Sequence, residues 1–292
     1  MVRPARAAGI VIGLDAYPQS TLLDRALELL TEAPADSNLL ANRVLGLPSA
    51  PPAVADRLAA ALLGADPRVQ RRVDGRWGLV SAVLASPLIE DCAFAVVDVE
   101  TTGSAAWTSD RVIEVAVVVV HGTRREVVFD RLVNPGRSLP RPVERLTRIT
   151  NADLRRAPRF EEVAEELLAA LAGRVFVAHN VKFDWSFVAA ELRRARGLEL
   201  TGPRLCTARL ARKLVPVAES CGLDWLSQYF GIENEARHRA GGDAIATATL
   251  LSRLTEIARA DGARTLNDLE ALQRKRKHRP RAARRRAKRK ES

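Results

Sequence analysis

From position 93 onward, hydrophobic and polar residues follow the pattern of strands first, and of alternating helices and strands afterwards. Three Val-rich stretches, FAVVDVE, RVIEVAVVVVHG and REVVFDRLVNPG, are joined by short links and predict three successive antiparallel strands. Apolar residues at helical spacing then predict helices in EEVAEELLAALAG, WSFVAAELRRAR and DAIATATLLSRLTEIARADG, with strands in RVFVAHN and RLCT between them. We therefore expect an α/β domain over residues 92–262, with a mixed sheet flanked by helices.

Residues 20–85 show the pattern of a separate, smaller unit that follows a flexible N-terminus at residues 1–19. Apolar spacing predicts three helices, in STLLDRALELLTEA, SNLLANRVLGL and PPAVADRLAAALLGAD, and Asp74-Gly75 predicts a hairpin between two strand-like runs. Three helices followed by a two-stranded wing resemble a winged helix-turn-helix. Such a domain binds DNA or a protein partner, or serves only for packing, and the sequence leaves these alternatives open.

Basic residues are concentrated at the C-terminus. Residues 274–292 contain 12 Lys and Arg and one Glu, which accounts for the whole formal net charge of +11, so residues 1–273 are balanced in charge. A dense block of like charge has little to bury, and we expect residues 263–292 to form a short helix and a disordered basic tail. Nucleic acid is the expected partner of the tail, and the alternative is a solubilising end.

Composition excludes several classes of protein. With 47% hydrophobic and 28% charged residues among 292, the chain can bury a core and has room for about two domains. Its three cysteines, Cys92, Cys206 and Cys221, form no CxxC pair, which argues against a disulfide scaffold and against a cysteine zinc site. No apolar run approaches the roughly 20 residues that span a bilayer, so we expect a cytoplasmic protein without membrane contact.

The segment FAVVDVETTG is the most informative part of the chain. Asp98 and Glu100 end an otherwise apolar strand, where an ionised carboxylate is costly to bury unless something compensates its charge. Alternation along a strand places the two side chains on one face, so they can share a metal ion. The alternative is that both project into solvent at the strand end.

Two later segments supply further candidates. HNVKFDWSF places Asp184 at the start of a helix, directly after an apolar strand. HRAGGD predicts His238 on the loop before a helix, with Gly241-Gly242 allowing the backbone to bend and Asp243 in the first helical turn. Considered alone, each Asp is more often a helix N-cap than a metal ligand.

Together, the three segments resemble the exonuclease domain of the DEDD superfamily, histidine subtype, the DnaQ-like group that contains the epsilon proofreading subunit of bacterial DNA polymerase III and ribonuclease T. DVETTG matches the first motif, HNVKFD the second and HRAGGD the third, in order and at family-like spacing between about Ala93 and Ile257. The resemblance implies a ribonuclease-H-like fold and metal-dependent removal of nucleotides from a 3′ end. It assigns metal binding to Asp98, Glu100, Asp184 and Asp243 and the role of general base to His238. Cys206-Thr207, where many relatives have Asp-Thr, is a mild departure.

The chemistry of these side chains agrees with the resemblance. Carboxylates about 5 Å apart repel by roughly 3 kcal/mol per pair at an effective dielectric constant of about 20, so we expect the cluster to require cations. Oxygen ligands favour Mg²⁺ or Mn²⁺ over zinc, and two ions in one site can hold the attacking and leaving oxygens of a phosphodiester. Imidazole titrates near neutral pH, which suits His238 to accept a proton from water.

Residues near the acids are candidates for contact with the terminal nucleotide. We expect backbone N–H contacts from Thr101, Thr102 and Gly103, phosphate or sugar contacts from His179 and Asn180, and base stacking on Trp107. In contrast, Phe183, Trp185 and Phe187 are expected in the core.

The expected function is that of a 3′-5′ exonuclease acting on single strands or frayed ends. DNA is the preferred substrate, for proofreading or repair beside a DNA polymerase or a repair complex. An exoribonuclease of the same superfamily keeps every catalytic residue and is the main alternative. A second alternative is a catalytically idle scaffold that binds nucleic acid, against which the intact set of acids argues. The sequence does not predict an oligomeric state.

Overall fold

A computed structural model describes residues 15–18, 22–66, 68–80 and 86–274. Most of the expected flexible N-terminus and all of the expected disordered tail beyond Arg274 lie outside the described residues. The division of the chain into domains at 20–85 and 92–262 stays a prediction.

The first described element is a strand that the sequence analysis did not predict. β1 (Asp15–Pro18) pairs antiparallel with β8 (Leu198–Thr201), so part of the segment expected to be flexible is held in a two-stranded sheet. Four residues are too few to show the alternation of a strand, and the partner strand lies far along the chain. Local pattern alone therefore gave no sign of this pairing.

The predicted three helices and hairpin are present between residues 22 and 80. They are α1 (Leu22–Glu32), α2 (Ser37–Arg43), α3 (Pro52–Leu63), β2 (Val69–Arg71) and β3 (Trp77–Leu79). Asp36 caps α2 by accepting a hydrogen bond of 2.7 Å from the backbone N–H of Leu39. Leu30, Leu40 and Trp77 are buried together, so the helices and the hairpin share one small core.

A five-stranded mixed sheet forms the centre of the larger part of the molecule. Its strands are β4 (Ala93–Thr101), β5 (Val112–His121), β6 (Arg124–Leu132), β7 (Val175–Ala178) and β9 (Arg204–Cys206), in the order β6-β5-β4-β7-β9. β4, β5 and β6 form the antiparallel meander that the sequence predicts, and β7 and β9 run parallel to β4. The predicted mixed α/β fold is confirmed.

Helices cover both faces of this sheet. They are α4 (Arg141–Thr147), α5 (Asn151–Arg156), α6 (Phe160–Leu171), α7 (Val181–Arg196), α8 (Thr207–Leu214), α9 (Leu223–Phe230), α10 (Ala240–Ala260) and α11 (Leu266–Gln273). One core contains side chains of α6 and α7, and a second core, on the opposite face, contains side chains of α8 to α11. Of the described helices, none combines the length and the apolar character that crossing a membrane requires.

Alternation along β4 decides which side chains meet which helices. Ala95, Val97 and Val99 contribute to the core with α6 and α7, whereas Phe94 and Val96 contribute to the core with α10. Side chains two residues apart share a face of a strand. The next residues of the second series are Asp98 and Glu100, which therefore face α10.

A side chain completes the edge of the sheet at β9. The carboxamide of Gln273, the last residue of α11, accepts a hydrogen bond of 2.8 Å from the N–H of Cys206 and donates one of 2.6 Å to the carbonyl of Arg204. It thus replaces the backbone of a neighbouring strand. α11 is thereby fixed against β9.

Candidate active site

Carboxylates from two distant segments meet at one end of the central strand. Asp98 and Glu100 lie at the end of β4, and Asp243 lies in the first turn of α10 on the face of the sheet that these acids occupy. One oxygen from each of the three side chains lies within 4.8 Å of the others. We call these three residues the carboxylate cluster.

The parallel pairing of β4 and β7 brings Asp184 toward the carboxylate cluster. α7 begins just after β7, the parallel neighbour of β4, and segments that follow parallel strands emerge at the same edge. The side chain of Asp184 is 4% exposed, and its charge is the largest electrostatic influence on Asp98. The sequence prediction that the four acids converge therefore agrees with the geometry, although Asp184 stands outside the closest group of three.

Burial and mutual repulsion destabilise the ionised forms of these carboxylates. Burial, followed by the charge of Asp184 and then that of Asp243, raises the pKa of Asp98 well above its usual range. Burial also raises the pKa of Glu100 to about 8 and that of Asp184 to about 7. Carboxylates in this state are stabilised as anions by a cation. Hard oxygen donors clustered in this way fit a divalent ion such as Mg²⁺ or Mn²⁺.

Asn234 keeps Asp243 closer to its ionised form than burial alone would. Its side-chain amide donates a hydrogen bond of 2.6 Å to Asp243, and the backbone N–H of His238 donates another of 3.2 Å. Burial raises the pKa of Asp243, and these two hydrogen bonds oppose the rise. The sequence analysis missed Asn234, because an Asn in the polar stretch GIENEARH carries no distinguishing pattern.

His238 lies on the loop before α10, at the position expected for it. Its backbone is left-handed, with φ of 59°, a conformation that costs a non-glycine residue of order 1–3 kcal/mol and requires support from its surroundings. The support comes from both sides, since Arg237 pairs with Asp224 and Arg239 pairs with Glu114. The segment carrying the imidazole is therefore held on both sides of His238.

The expected role of the two glycines after His238 is corrected. Gly241 and Gly242 belong to the first turn of α10 and do not provide the bend, which occurs at His238. A Cβ atom on Gly241 would collide with the carboxylate of Asp130, and one on Gly242 would collide with the backbone of Ala236. Glycine is required at Gly242, because backbone atoms of Ala236 approach the helix closely.

Glu114 is the largest omission of the sequence analysis. It faces Glu100 across the β4–β5 pairing, is 2% exposed, and accepts hydrogen bonds from the guanidinium of Arg239 at 2.6 to 3.1 Å and from the N–H of Ala240 at 2.8 Å. The carboxylate therefore binds the N-terminus of α10 as well as the neighbour of His238. A Glu within the Val-rich run RVIEVAVVVV was the available signal, of the same kind that identified Asp98.

The residues that follow Glu100 shape a fixed loop. Thr101 and Thr102 are buried, the Thr101 hydroxyl donates to the carbonyl of Gly103 at 2.6 Å, and the Thr102 hydroxyl donates to Asp110 at 3.1 Å. The backbone N–H of Thr102 is bonded to the carbonyl of Arg111. This donor thus has a partner within the loop, and the expected contact between Thr102 and a nucleotide stays a prediction.

His179 is likewise occupied inside the protein. One ring nitrogen lies 2.9 Å from the Thr207 hydroxyl and the other 2.9 Å from the carbonyl of Cys221, and burial lowers the pKa of the ring. This side chain connects β7 to α8 and to the loop before α9, and its expected contact with phosphate or sugar stays a prediction. Asn180, by contrast, is exposed at the start of α7.

The three aromatic residues expected in the core contribute to it, and the one expected to stack on a base is exposed. Phe187 is fully buried, and Phe183 and Trp185 pack against the same core. Trp107 is 56% exposed on the loop after β4.

Comparisons with known proteins agree with this arrangement. The family model described as Exonuclease (RNase_T) matches residues 95–251, more than half of the chain. The chain is 37% identical to the DNA polymerase III subunit epsilon of Aquifex aeolicus over 166 residues, which are 57% of this chain and 82% of that subunit. It is also 37% identical over 180 residues to the 3′-5′ exonuclease DinG of Bacillus subtilis, covering 61% of this chain but 19% of DinG.

A solved structure shares the fold. Exonuclease X, in complex with 5′ overhanging duplex DNA, superposes with a TM-score of 0.50 at 25% identity, covering 62% of this chain and 99% of the other. The common part contains the mixed sheet and its flanking helices, which is the ribonuclease-H-like exonuclease fold. The family match over more than half of the chain and the near-complete coverage of epsilon and exonuclease X lead to one conclusion: the chain belongs to the exonuclease (RNase_T) family, within the DEDD superfamily of 3′-5′ exonucleases.

Proposed function

We propose that the protein is a metal-dependent 3′-5′ exonuclease that hydrolyses the terminal phosphodiester of a DNA strand. The observation that carries this proposal is the carboxylate cluster, in which oxygens of Asp98, Glu100 and Asp243 lie within 4.8 Å of one another. Burial and neighbouring carboxylates raise the pKa values of Asp98 and Glu100, and burial raises that of Asp243, so a bound cation would stabilise the ionised cluster.

The residues that would hold the metal are Asp98, Glu100, Asp184 and Asp243. Bound Mg²⁺ or Mn²⁺, with two ions in the proposed site, would supply positive charge to the phosphate oxygens and lower the pKa of a water molecule. The protein contributes fixed positions for the ligands, because Asp98 and Glu100 belong to a central strand and Asp184 to a buried helix turn. Ligands on rigid elements need little reorganisation when substrate binds.

His238 is the proposed general base. Its imidazole would accept the proton of the attacking water, and its charge interacts favourably with Asp243. Asn180 and Gly103 remain proposed contacts of the terminal nucleotide, and Trp107 remains a proposed stacking surface for a base. The paired arginines on either side of His238 support its place.

DNA is the proposed substrate because the names of two similar proteins refer to DNA. The epsilon relative is a subunit of a DNA polymerase, and exonuclease X was solved with duplex DNA. We therefore propose a role in proofreading or repair, beside a DNA polymerase or a repair complex and in the cytoplasm. Residues 20–85 and the basic segment 274–292 are proposed to assist binding of nucleic acid or of a partner.

Chelation and one substitution test the proposal together. The full-length protein should release nucleotides from a 3′-labelled single strand with Mg²⁺ or Mn²⁺ and should stop in EDTA. Asp98→Asn should abolish turnover while its thermal unfolding in EDTA matches or exceeds that of the unchanged protein. Asp261→Asn, at the opposite end of α10, is the matched control and should keep full activity. Persistent digestion in EDTA, or by Asp98→Asn, would exclude the metal mechanism.

A further inference from the structure

A groove at the first turns of α7 has features that the proposed chemistry does not use. It has a volume of about 490 Å³ and lies between the loop after β4, the first turns of α7, the start of β9 and the end of α11. The side chains that define it are Trp107, Lys182, Trp185, Arg204, Arg209 and Glu270. We call it the α7–α11 groove.

The charge of this groove is strongly positive. Lys182, Arg204, Arg209 and Arg274 line it, and Glu270 is the single carboxylate opposed to them among its lining residues. Glu270 pairs with Arg274 at 3.8 Å, whereas Lys182 and Arg209 form no ion pair with any carboxylate in the described part of the chain. Unpaired cations lining a concave surface are suited to a phosphodiester backbone.

Aromatic surfaces lie between these cations. Trp185 packs edge-on against Phe176, with ring centroids 5.2 Å apart, and the guanidinium of Arg204 covers its ring at 4.2 Å. Trp107 exposes more than half of its surface to solvent. An indole that the protein does not bury can stack on a base, an interaction of about 1–3 kcal/mol per base.

The walls of the groove are fixed before any ligand binds. Asp110 accepts a hydrogen bond of 2.9 Å from the N–H of Ala105, and Arg194 of α7 donates to the carbonyl of Ala106, so the residues before Trp107 are held at both positions. On the other side, Gln273 attaches α11 to β9. A preformed groove loses little conformational entropy on binding.

The groove shares α7 with a proposed metal ligand. Lys182 lies two residues before Asp184 and Trp185 one residue after it, within about 3 Å along the helix axis, although their side chains leave the helix in other directions. Arg274 lies on the groove and is also the first residue of the basic segment 274–292. The positive charge of the groove thus begins on the helix that carries Asp184 and extends to the first residue of that segment.

We propose that the α7–α11 groove binds the single-stranded part of the substrate, on the 5′ side of the nucleotide being removed. Lys182 and Arg209 bind phosphates, and Trp107 stacks on a base. This proposal rests on the proposed exonuclease function and assigns the part of the substrate that extends beyond the reacting phosphodiester.

Comparison of a short and a long substrate tests it. The rate constant kcat/KM for release of the 3′ nucleotide is measured with a dinucleotide and with a single strand of about 20 nucleotides. Lys182→Gln combined with Arg209→Gln should lower kcat/KM for the long strand by at least about tenfold and leave the dinucleotide within about twofold. The slope of log kcat/KM against log salt should become shallower by about 1.4 for the long strand, since each phosphate contact on single strands contributes about 0.7.

Controls separate this proposal from the one on which it depends. Arg212→Gln changes an exposed arginine of α8 outside the groove and should leave both substrates and the salt slope unchanged. Trp107→Ala should lower kcat/KM selectively for the long strand, as the double variant does. Equal losses on both substrates, or an unchanged salt slope, would overturn the groove assignment. An unchanged protein that is inactive on both substrates would instead overturn the proposed exonuclease function.

Discussion

Removal of divalent cations should make the stability of the protein decrease as pH rises from about 6 to about 8. The pKa of Glu100 is raised from 4.5 in the unfolded chain to about 8 in the fold, so between these values the folded protein holds a proton that the unfolded chain has lost. Each unit of pH in this interval then lowers the free energy of unfolding by up to about 1.4 kcal/mol. Asp184, with a pKa raised to about 7, acts in the same direction over the lower part of the interval.

The expected size follows from the position of Glu100. Because its pKa lies near 8, the loss contributed by this residue between pH 6 and pH 8 is about 2 kcal/mol. At roughly 2–4 °C per kcal/mol for a chain of this size, Tm in EDTA should fall by about 4–8 °C. Mg²⁺ at about 100 times its Kd should raise the free energy of unfolding by about 2.7 kcal/mol at the higher pH. Ligands must be deprotonated to bind the ion, so the gain from Mg²⁺ should grow as pH rises.

Thermal unfolding followed by circular dichroism measures this directly. Melts are recorded in EDTA and in Mg²⁺ at both pH values, for the unchanged protein and for Glu100→Gln. The variant cannot ionise at this position, so its Tm in EDTA should depend less on pH, and Mg²⁺ should stabilise it less. If Mg²⁺ leaves Tm of the unchanged protein unaltered at about pH 8, the reasoning from clustered carboxylates is wrong.

Two further predictions address residues outside the cluster. Glu114→Gln should lower kcat more than it changes KM and should cost about 2 kcal/mol of stability, because Arg239, beside His238, loses a charged hydrogen-bond partner; steady-state kinetics and denaturant unfolding measure both effects. Deletion of residues 274–292 should weaken binding of a DNA strand and flatten its salt dependence, as measured by fluorescence anisotropy at several salt concentrations.

The substitution of Glu114 has a matched control. Glu256→Gln breaks an exposed ion pair with Arg253 on α10 and should change neither kcat nor stability measurably. If Glu256→Gln lowered kcat as much as Glu114→Gln does, the effect would not be specific to Glu114. An unchanged salt slope after the deletion would identify the basic segment as a solubilising end.

The part of the site that the sequence revealed depends on short-range rules. Alternation along a strand was enough to place Asp98 and Glu100 on one face, and the structure has them on the face toward α10. The meander and the order of the helices followed from local periodicity in the same way. These features are decided by residues close together in sequence, and so they could be read from it.

The part that the sequence did not reveal depends on partners far apart in the chain. Arg239 and Glu114 are separated by 125 residues, and His179 meets Cys221 across 42 residues. Nothing local distinguishes a histidine that is fully bonded inside the protein from one that is free to bind a phosphate. Only Glu114 carried a usable signal, because a charge in a buried strand must be compensated.

The amide of Gln273 also bears on self-association. Open sheet edges pair with other chains, and this side chain occupies the donor and acceptor groups that β9 would otherwise present. At the opposite edge, β6 carries charged side chains of both signs, Arg124, Arg125, Glu126, Asp130 and Arg131, and charges on an edge strand oppose its pairing with another chain. Growth of the central sheet by addition of strands is therefore disfavoured at both of its edges.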